Sequence, residues 1–169
     1  MKHLILMRHA KSDWSMSGDD HARPLNKRGV KSAKAMGDWL RRQAWLPDEV
    51  LCSSSTRTRQ TLDLLQLGDT PTRFSRGLYL PDAHGILTAL HEATGTRVLV
   101  VAHNFGIAEF ANEIVTHPVD HPGFRTYPTC ATLLASASIE AWSDLTFGSM
   151  TPEAFAVPRE VLASKAPDF

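Results

Sequence analysis

The sequence predicts an α/β fold, a three-layer sandwich with a mainly parallel central sheet flanked by helices. Leu4 to Met7 and Val98 to Val101 are short, unbroken apolar runs, the pattern of strands buried on both faces. Between them lie stretches whose apolar residues recur three and four apart, as on one buried helix face. Strand-like and helix-like segments alternate along the chain, which is how parallel sheets are built.

Taken in order, the first strand runs into Arg8-His9, and a polar, turn-rich loop follows from Lys11 to Asn26. A loop of that length is often functional. Asn26 can cap a helix from Lys27 to Gln43, with Val30, Ala33, Met36, Gly37 and Leu40 on its inner face. Glu49 to Cys52 reads as a second strand. The serines 53–55 then offer caps for a helix that carries Arg57, Thr61, Leu62 and Leu65. Thr72 to Ser75 is a third, weaker strand. Asp82 can cap a helix starting at Ala83, with Ile86, Leu87 and Leu90 inward. Val98 to Val101 is β-branched enough for a central strand, and after His103-Asn104 a further helix is expected from Phe105 to Val115. Residues 117–128 read as a loop, and Thr129 to Ser136 and Ala141 to Phe147 as two more strands. The stretch from about 151 to 169 shows weak periodicity and is expected to wrap the surface of a single domain spanning 1–169.

The chain has 169 residues, long enough for one domain with a proper core. Lys plus Arg and Asp plus Glu number 18 each, so no basic excess marks a nucleic-acid or membrane-surface binder. The apolar run after Lys2 stops at Arg8, short of a secretory h-region, and no stretch is long enough to span a bilayer. Cys52 and Cys130 lack CxxC spacing and read as core residues in a reducing compartment. A cytoplasmic protein is expected.

Three polar groups follow strand ends: Arg8-His9, Arg57 and His103. Alone, Arg8-His9 could simply be the polar end of a strand. In a parallel sheet, however, the carboxyl ends of the strands share one side, where such folds bind ligands. Two guanidiniums can each fork onto phosphate oxygens. A neutral imidazole can attack phosphorus, and a second, protonated histidine can hold the oxygens as charge develops.

The motifs Met7-Arg8-His9-Ala10-Lys11-Ser12, Ser53-x-x-x-Arg57-Thr58-Arg59-Gln60-Thr61 and Val101-Ala102-His103-Asn104 resemble the histidine phosphatase superfamily, which includes the phosphoglycerate mutases. Arg23-Pro24-Leu25-Asn26-Lys27-Arg28-Gly29 and the small size are most similar to the SixA-type phosphohistidine phosphatases. The resemblance implies a phosphoglycerate mutase-like fold with His9 as the phosphorylated nucleophile. Arg8, Arg57 and His103 would line the phosphate pocket, and neither a metal nor a cofactor would be needed. Arg59 is expected to face outward from its helix.

Two departures matter. The short span between Arg57 and His103 leaves no room for the mutases' large lid insertion, so an open, shallow site is expected. No Glu occupies the place where relatives carry a proton donor. An alcohol departs poorly without one, whereas the imidazole of phosphohistidine needs less help. A preference for protein phosphohistidine, or another phosphate with a good leaving group, follows. Asp20 and Asp82 are the candidate acids; Asp20 is preferred because relatives also carry Asp-x-x-Arg-Pro-Leu.

Lys11 and Ser12 are read equally as phosphate contacts or structural residues, and Arg23 as a rim residue. Trp14 is read as packed rather than as an aromatic wall. His117, Asp120 and His121 have metal-like spacing but read as a solvated loop. The expected partner is a phosphorylated protein or a small phosphate ester, with no nucleic acid or membrane, and the chain is expected to act as a monomer. A small-molecule phosphomonoesterase on the same site, or a phosphate-binding module without turnover, are the alternatives.

Overall fold

The computed structural model describes residues 1–15 and 17–164. Its six strands are β1 (Lys2–Arg8), β2 (Glu49–Ser53), β3 (Thr72–Ser75), β4 (Arg97–Ala102), β5 (Thr132–Ala137) and β6 (Thr151–Ala156). The helices are α1 (Lys27–Arg42), α2 (Thr56–Leu65), α3 (Ala83–His91), α4 (Gly106–Ile114) and α5 (Pro158–Ala163). The sheet order is β3-β2-β4-β1-β5-β6. The first four strands in that order are parallel, and β5 pairs antiparallel with both β1 and β6.

Strand side chains alternate between the two faces of a sheet, and the core divides accordingly. Leu4, Leu6, Val98, Val100 and Leu133 pack with Ile86 and Leu90 of α3 and Ile107 and Phe110 of α4. Ile5, Met7, Leu99, Val101 and Leu134 pack with Met36 and Leu40 of α1, Leu65 of α2 and Val161 of α5. The anticipated caps are present: Asn26, Ser55 and Asp82 accept from the backbone N–H of Gly29, Thr58 and Gly85. Where α1 crosses α2, a Cβ on Gly37 would lie 2.6 Å from the Leu65 carbonyl oxygen, so only glycine allows that approach.

The C-terminal third differs from the sequence reading. The anticipated strand at 141–147 is instead a one-turn 3-10 helix at Trp142–Asp144. Trp142 is buried, and its indole N–H donates to the Gly95 carbonyl. The expected surface tail supplies the edge strand β6 and the helix α5, which packs on α1. Its strand alternates exposed Thr151 and Glu153 with less exposed neighbours, a pattern blurred by Pro152. The part of that tail beyond 164 lies outside the described residues.

Tyr127 ties the sheet together from the loop before β5. Its buried hydroxyl donates to the Leu6 carbonyl at 2.5 Å and accepts from the Leu133 N–H at 2.9 Å, across paired residues of β1 and β5. Replacing it with Phe would leave those buried backbone groups without this partner. Tyr127→Phe is expected to lose about 1–3 kcal/mol in urea unfolding; unchanged stability would show that the bridge is dispensable.

Candidate active site

The order β2-β4-β1 sets three strand ends side by side. Arg8 closes β1 opposite Ala102 of β4, and Cys52 of β2 is registered with Val101. The His9 N–H donates to the Ala102 carbonyl, His103 follows β4 directly, and Arg57 lies in the first turn of α2. These residues, far apart in sequence, thus form one group. His9, Arg57 and His103 are 6%, 3% and 1% exposed, and the two imidazole centroids are 5.1 Å apart.

The backbone orients His9. Its Nδ1 lies 2.6 Å from the Ala10 carbonyl oxygen. A carbonyl only accepts, so Nδ1 carries the hydrogen and Nε2 keeps its lone pair. Burial, with Arg8, Arg57 and Arg23 nearby, lowers the His9 pKa to about 3 despite the opposing Ala10 bond. The ring is therefore neutral at physiological pH, the form a nucleophile requires. Thr61 fixes the approach of α2: its hydroxyl donates to the Arg57 carbonyl and accepts from the Ala10 N–H.

His103 is likewise neutral, which departs from the protonated form foreseen for it. Burial, then His9 and Arg57, push its pKa down to about 2. Its Nε2 is 2.8 Å from the Ser53 hydroxyl, while its Nδ1 is buried without a partner. Arg8 donates to the Tyr127 carbonyl, and its own pKa is lowered by burial and then by Arg57. The Nε atoms of Arg8 and Arg57 are also buried and unpartnered. A cluster of cationic groups with unmet donors is suited to an anion.

Asp20 covers this cluster. Arg57 donates to its carbonyl at 2.8 Å and to its carboxylate at 3.2 Å. Arg23 donates to the other carboxylate oxygen at 2.5 Å, and the Tyr79 hydroxyl donates to the one shared with Arg57. The Tyr79 bond above all, with the arginines, holds the carboxyl well below the usual carboxylate range. The site is consequently covered rather than open, although no lid domain is present. The reason is local: the loop after β1 folds back, its 3-10 turn Asp20–Ala22 laid over the start of α2.

Other assigned residues separate. Ser12 is buried and accepts from Arg23, so it positions that side chain. Arg23 also lies over the Trp14 ring, 3.4 Å from its centroid; that tryptophan is exposed, not packed. Asp82 spends its carboxylate on the Gly85 N–H at the start of α3 and hydrogen-bonds no member of the group. Lys11 points into a separate cavity with α1 and α5. Arg59 is exposed, as expected of an outward residue. His121 bonds to Glu160, and no metal-holding cluster of His, Cys, Asp or Glu occurs among the described residues. Tyr79, Thr61, Ser53 and Tyr127 had no assigned role in the sequence reading. Of these, Ser53 and Thr61 stood within a quoted motif that could have drawn attention to them, Ser53 there only as a candidate cap.

A family model described as "Histidine phosphatase superfamily (branch 1)" matches residues 4–78. Residues 4–78 are thus similar to the histidine phosphatase superfamily. A candidate phosphohistidine phosphatase SixA from Nakamurella multipartitia superposes with a TM-score of 0.83 at 29% identity, covering 93% of this chain and 96% of that one. A protein histidine phosphatase SixA complexed with tungstate shares the fold, with a TM-score of 0.75 at 21% identity over 94% and 99% of the two chains. An uncharacterized protein of Mycobacterium tuberculosis is 39% identical over 99 residues, 57% of this chain. The match spans 62% of that relative's length. Over most of its length the chain is thus similar in fold to these SixA structures.

The depressed histidine pKa values tie the site to stability. Below the ordinary value of 6.5, the unfolded chain's histidines take up protons that His9 and His103 refuse until about 3 and about 2. Unfolding then gains protons, so their contribution is present above 6.5 and is lost as pH falls through that window. Each group adds a slope of up to about 1.4 kcal/mol per pH unit. Urea melts at pH 7 and pH 5 should show a shallower loss for His103→Gln than for the wild type. An identical loss would place the acid sensitivity elsewhere.

Proposed function

We propose that the protein is a metal-independent phosphatase that removes phosphoryl groups through a covalent phosphohistidine on His9. The observation that carries this reading is a neutral His9, its Nε2 lone pair free, beside the buried Arg57 and the half-buried Arg8 guanidiniums. The incoming phosphoryl group takes the place on Arg57 held by the Asp20 carboxylate, and Arg8 and Arg57 hold its oxygens. The bond from Nε2 to phosphorus forms as the bond to the leaving group breaks. Water then attacks phospho-His9, releasing phosphate and restoring the imidazole. A dianion between His9 and His103 raises the pKa of His103, so the second histidine can donate a hydrogen bond once substrate is bound.

The substrate class follows from Asp20. It is the carboxylate that reaches the arginines of the site, and Tyr79 and the arginines hold it ionised, which leaves it a poor proton donor. A phosphoramidate fits this arrangement, because imidazole leaves more readily than an alkoxide. Large apolar side chains next to site residues stand exposed, Trp14 at 77% and Phe105 at 89%. Such surfaces favour a phosphate carried by a protein. A cytoplasmic setting suits the two free, buried thiols of Cys52 and Cys130, and no helix among the described residues is long and apolar enough to cross a membrane.

His9→Ala is expected to abolish turnover, and brief incubation of the wild type with phosphoramidate should leave an acid-labile, base-stable label on His9. Wild-type rates in His9→Ala would overturn the nucleophile, and activity lost to EDTA but restored by a divalent metal would overturn metal independence.

Asp20→Asn separates a competitor from a proton donor. As a competitor for Arg57, its loss should tighten inhibition by inorganic phosphate up to about fivefold. As a donor, its loss would lower kcat mainly for poor leaving groups. A series of aryl phosphates distinguishes the two.

A further inference from the structure

A second basic cavity lies outside the phosphate site. It measures about 610 Å³ and is bounded by α1, α5 and the loop before β5. Four cations line it: Lys11, Arg28, Lys31 and Arg159. Among the described residues no carboxylate lines it. The nearest by sequence, Glu160, is held by His121 at 2.7 Å. None of the four cations has an ion-pair or hydrogen-bond partner for its side chain among the described residues. Elsewhere, exposed arginines do pair, as Arg41 does with Asp38 and Arg73 with Glu49. The chain as a whole is neutral, so this local excess does not reflect a basic protein. The wall also contains Ser32, 9% exposed, whose hydroxyl has no hydrogen-bond partner among the described residues.

The cavity adjoins the nucleophile through the backbone. Lys11 is two residues beyond His9, and its carbonyl sits so close to α1 that a Cβ on Gly29 would lie 2.1 Å from it. On the other side, the Cys130 N–H donates to the His9 carbonyl at 2.9 Å. That bond places Pro128 and Thr129, which line the cavity, beside the catalytic strand end. The cavity wall and the strand end that carries His9 are thus joined by adjacent backbone.

We propose that the cavity is a docking site for an acidic segment of the phosphoprotein substrate, flanking the phosphorylated residue. The inference rests on the phosphatase reading above but concerns a different surface. Four cations spread over two helices and a loop match several carboxylates along an extended strand better than one phosphate. The apolar parts of Val157, Pro158 and Leu162 supply contact for the peptide backbone between them. Exposed charges at such a rim act mainly on association and on its salt dependence.

The test is direct binding of a fluorescently labelled poly-Glu peptide to the full chain, read by anisotropy, with a neutral Gly-Ser peptide as reference. Wild type should bind poly-Glu more tightly, and the preference should fade at high salt. Lys31→Gln with Arg159→Gln should weaken that binding about fivefold, and the matched loss of two cations at Arg42 and Arg73 should not. Equal losses in both double variants, or no preference over the neutral peptide, would overturn the proposal. So would tighter binding to phosphatidylserine vesicles than to poly-Glu. Because no turnover is needed, a chain that binds poly-Glu at this cavity yet hydrolyses no phosphoramidate would uphold acidic-peptide binding here and overturn the phosphatase reading on which its role in substrate docking rests.

Discussion

Burial of like charges beside His9 is the constraint on which the site depends. Arg57, withdrawn from water, lies close enough to the half-buried Arg8 to disfavour its charge. Taking an ion out of water costs several kcal/mol unless partners replace the solvent. Here the replacement is incomplete: Arg8 has the Tyr127 carbonyl, Arg57 has Asp20, and the Nε atom of each has nothing. The protein thus holds a positive field ready before any ligand arrives, and the surrounding core has to supply the stability that the site forgoes. Burial first, and this field after it, keep His9 and His103 neutral.

Asp20 moderates that field. Its ionised carboxylate bridges Arg57, Arg23 and Tyr79 and covers a site that no lid domain shields. The loop that carries it is itself tied down, through Ser12 to Arg23 and through the Leu25 N–H to Gln60 on α2. A carboxylate engaged in this way is an anion in the place of an anion. It cannot serve at the same time as a ready acid, which links the covering of the site to the kind of leaving group the site can handle.

Precision comes from the backbone and from residues that do not face phosphate. The Ala10 carbonyl selects the tautomer of His9, Thr61 joins Ala10 to Arg57, and Ser53 fixes the second histidine. Ser53 ends β2, Ala10 lies just past β1 and Thr61 sits within α2, where the sheet and helix leave little freedom.

Much was legible in the chain itself. The unbroken apolar runs at 4–7 and 98–101 announced strands buried on both faces, and Asn26, Ser55 and Asp82 announced helix starts, because these signals are local. The order Arg8-His9, Arg57, His103 placed the central group, because parallel strands bring their carboxyl ends together. The edge strand β6 and the helix α5 stayed hidden, since their pairing with β5 and α1 is non-local and leaves a weak period. Only the tertiary structure decided that Lys11 lines a second cavity, that Asp82 is spent on a cap and that Asp20 closes over Arg57. Those outcomes depend on which loop lies across which helix end, and a side chain's neighbours there come from distant parts of the chain. The short Arg8-His9 pair was visible from the outset; the charge state that makes it useful was set by burial.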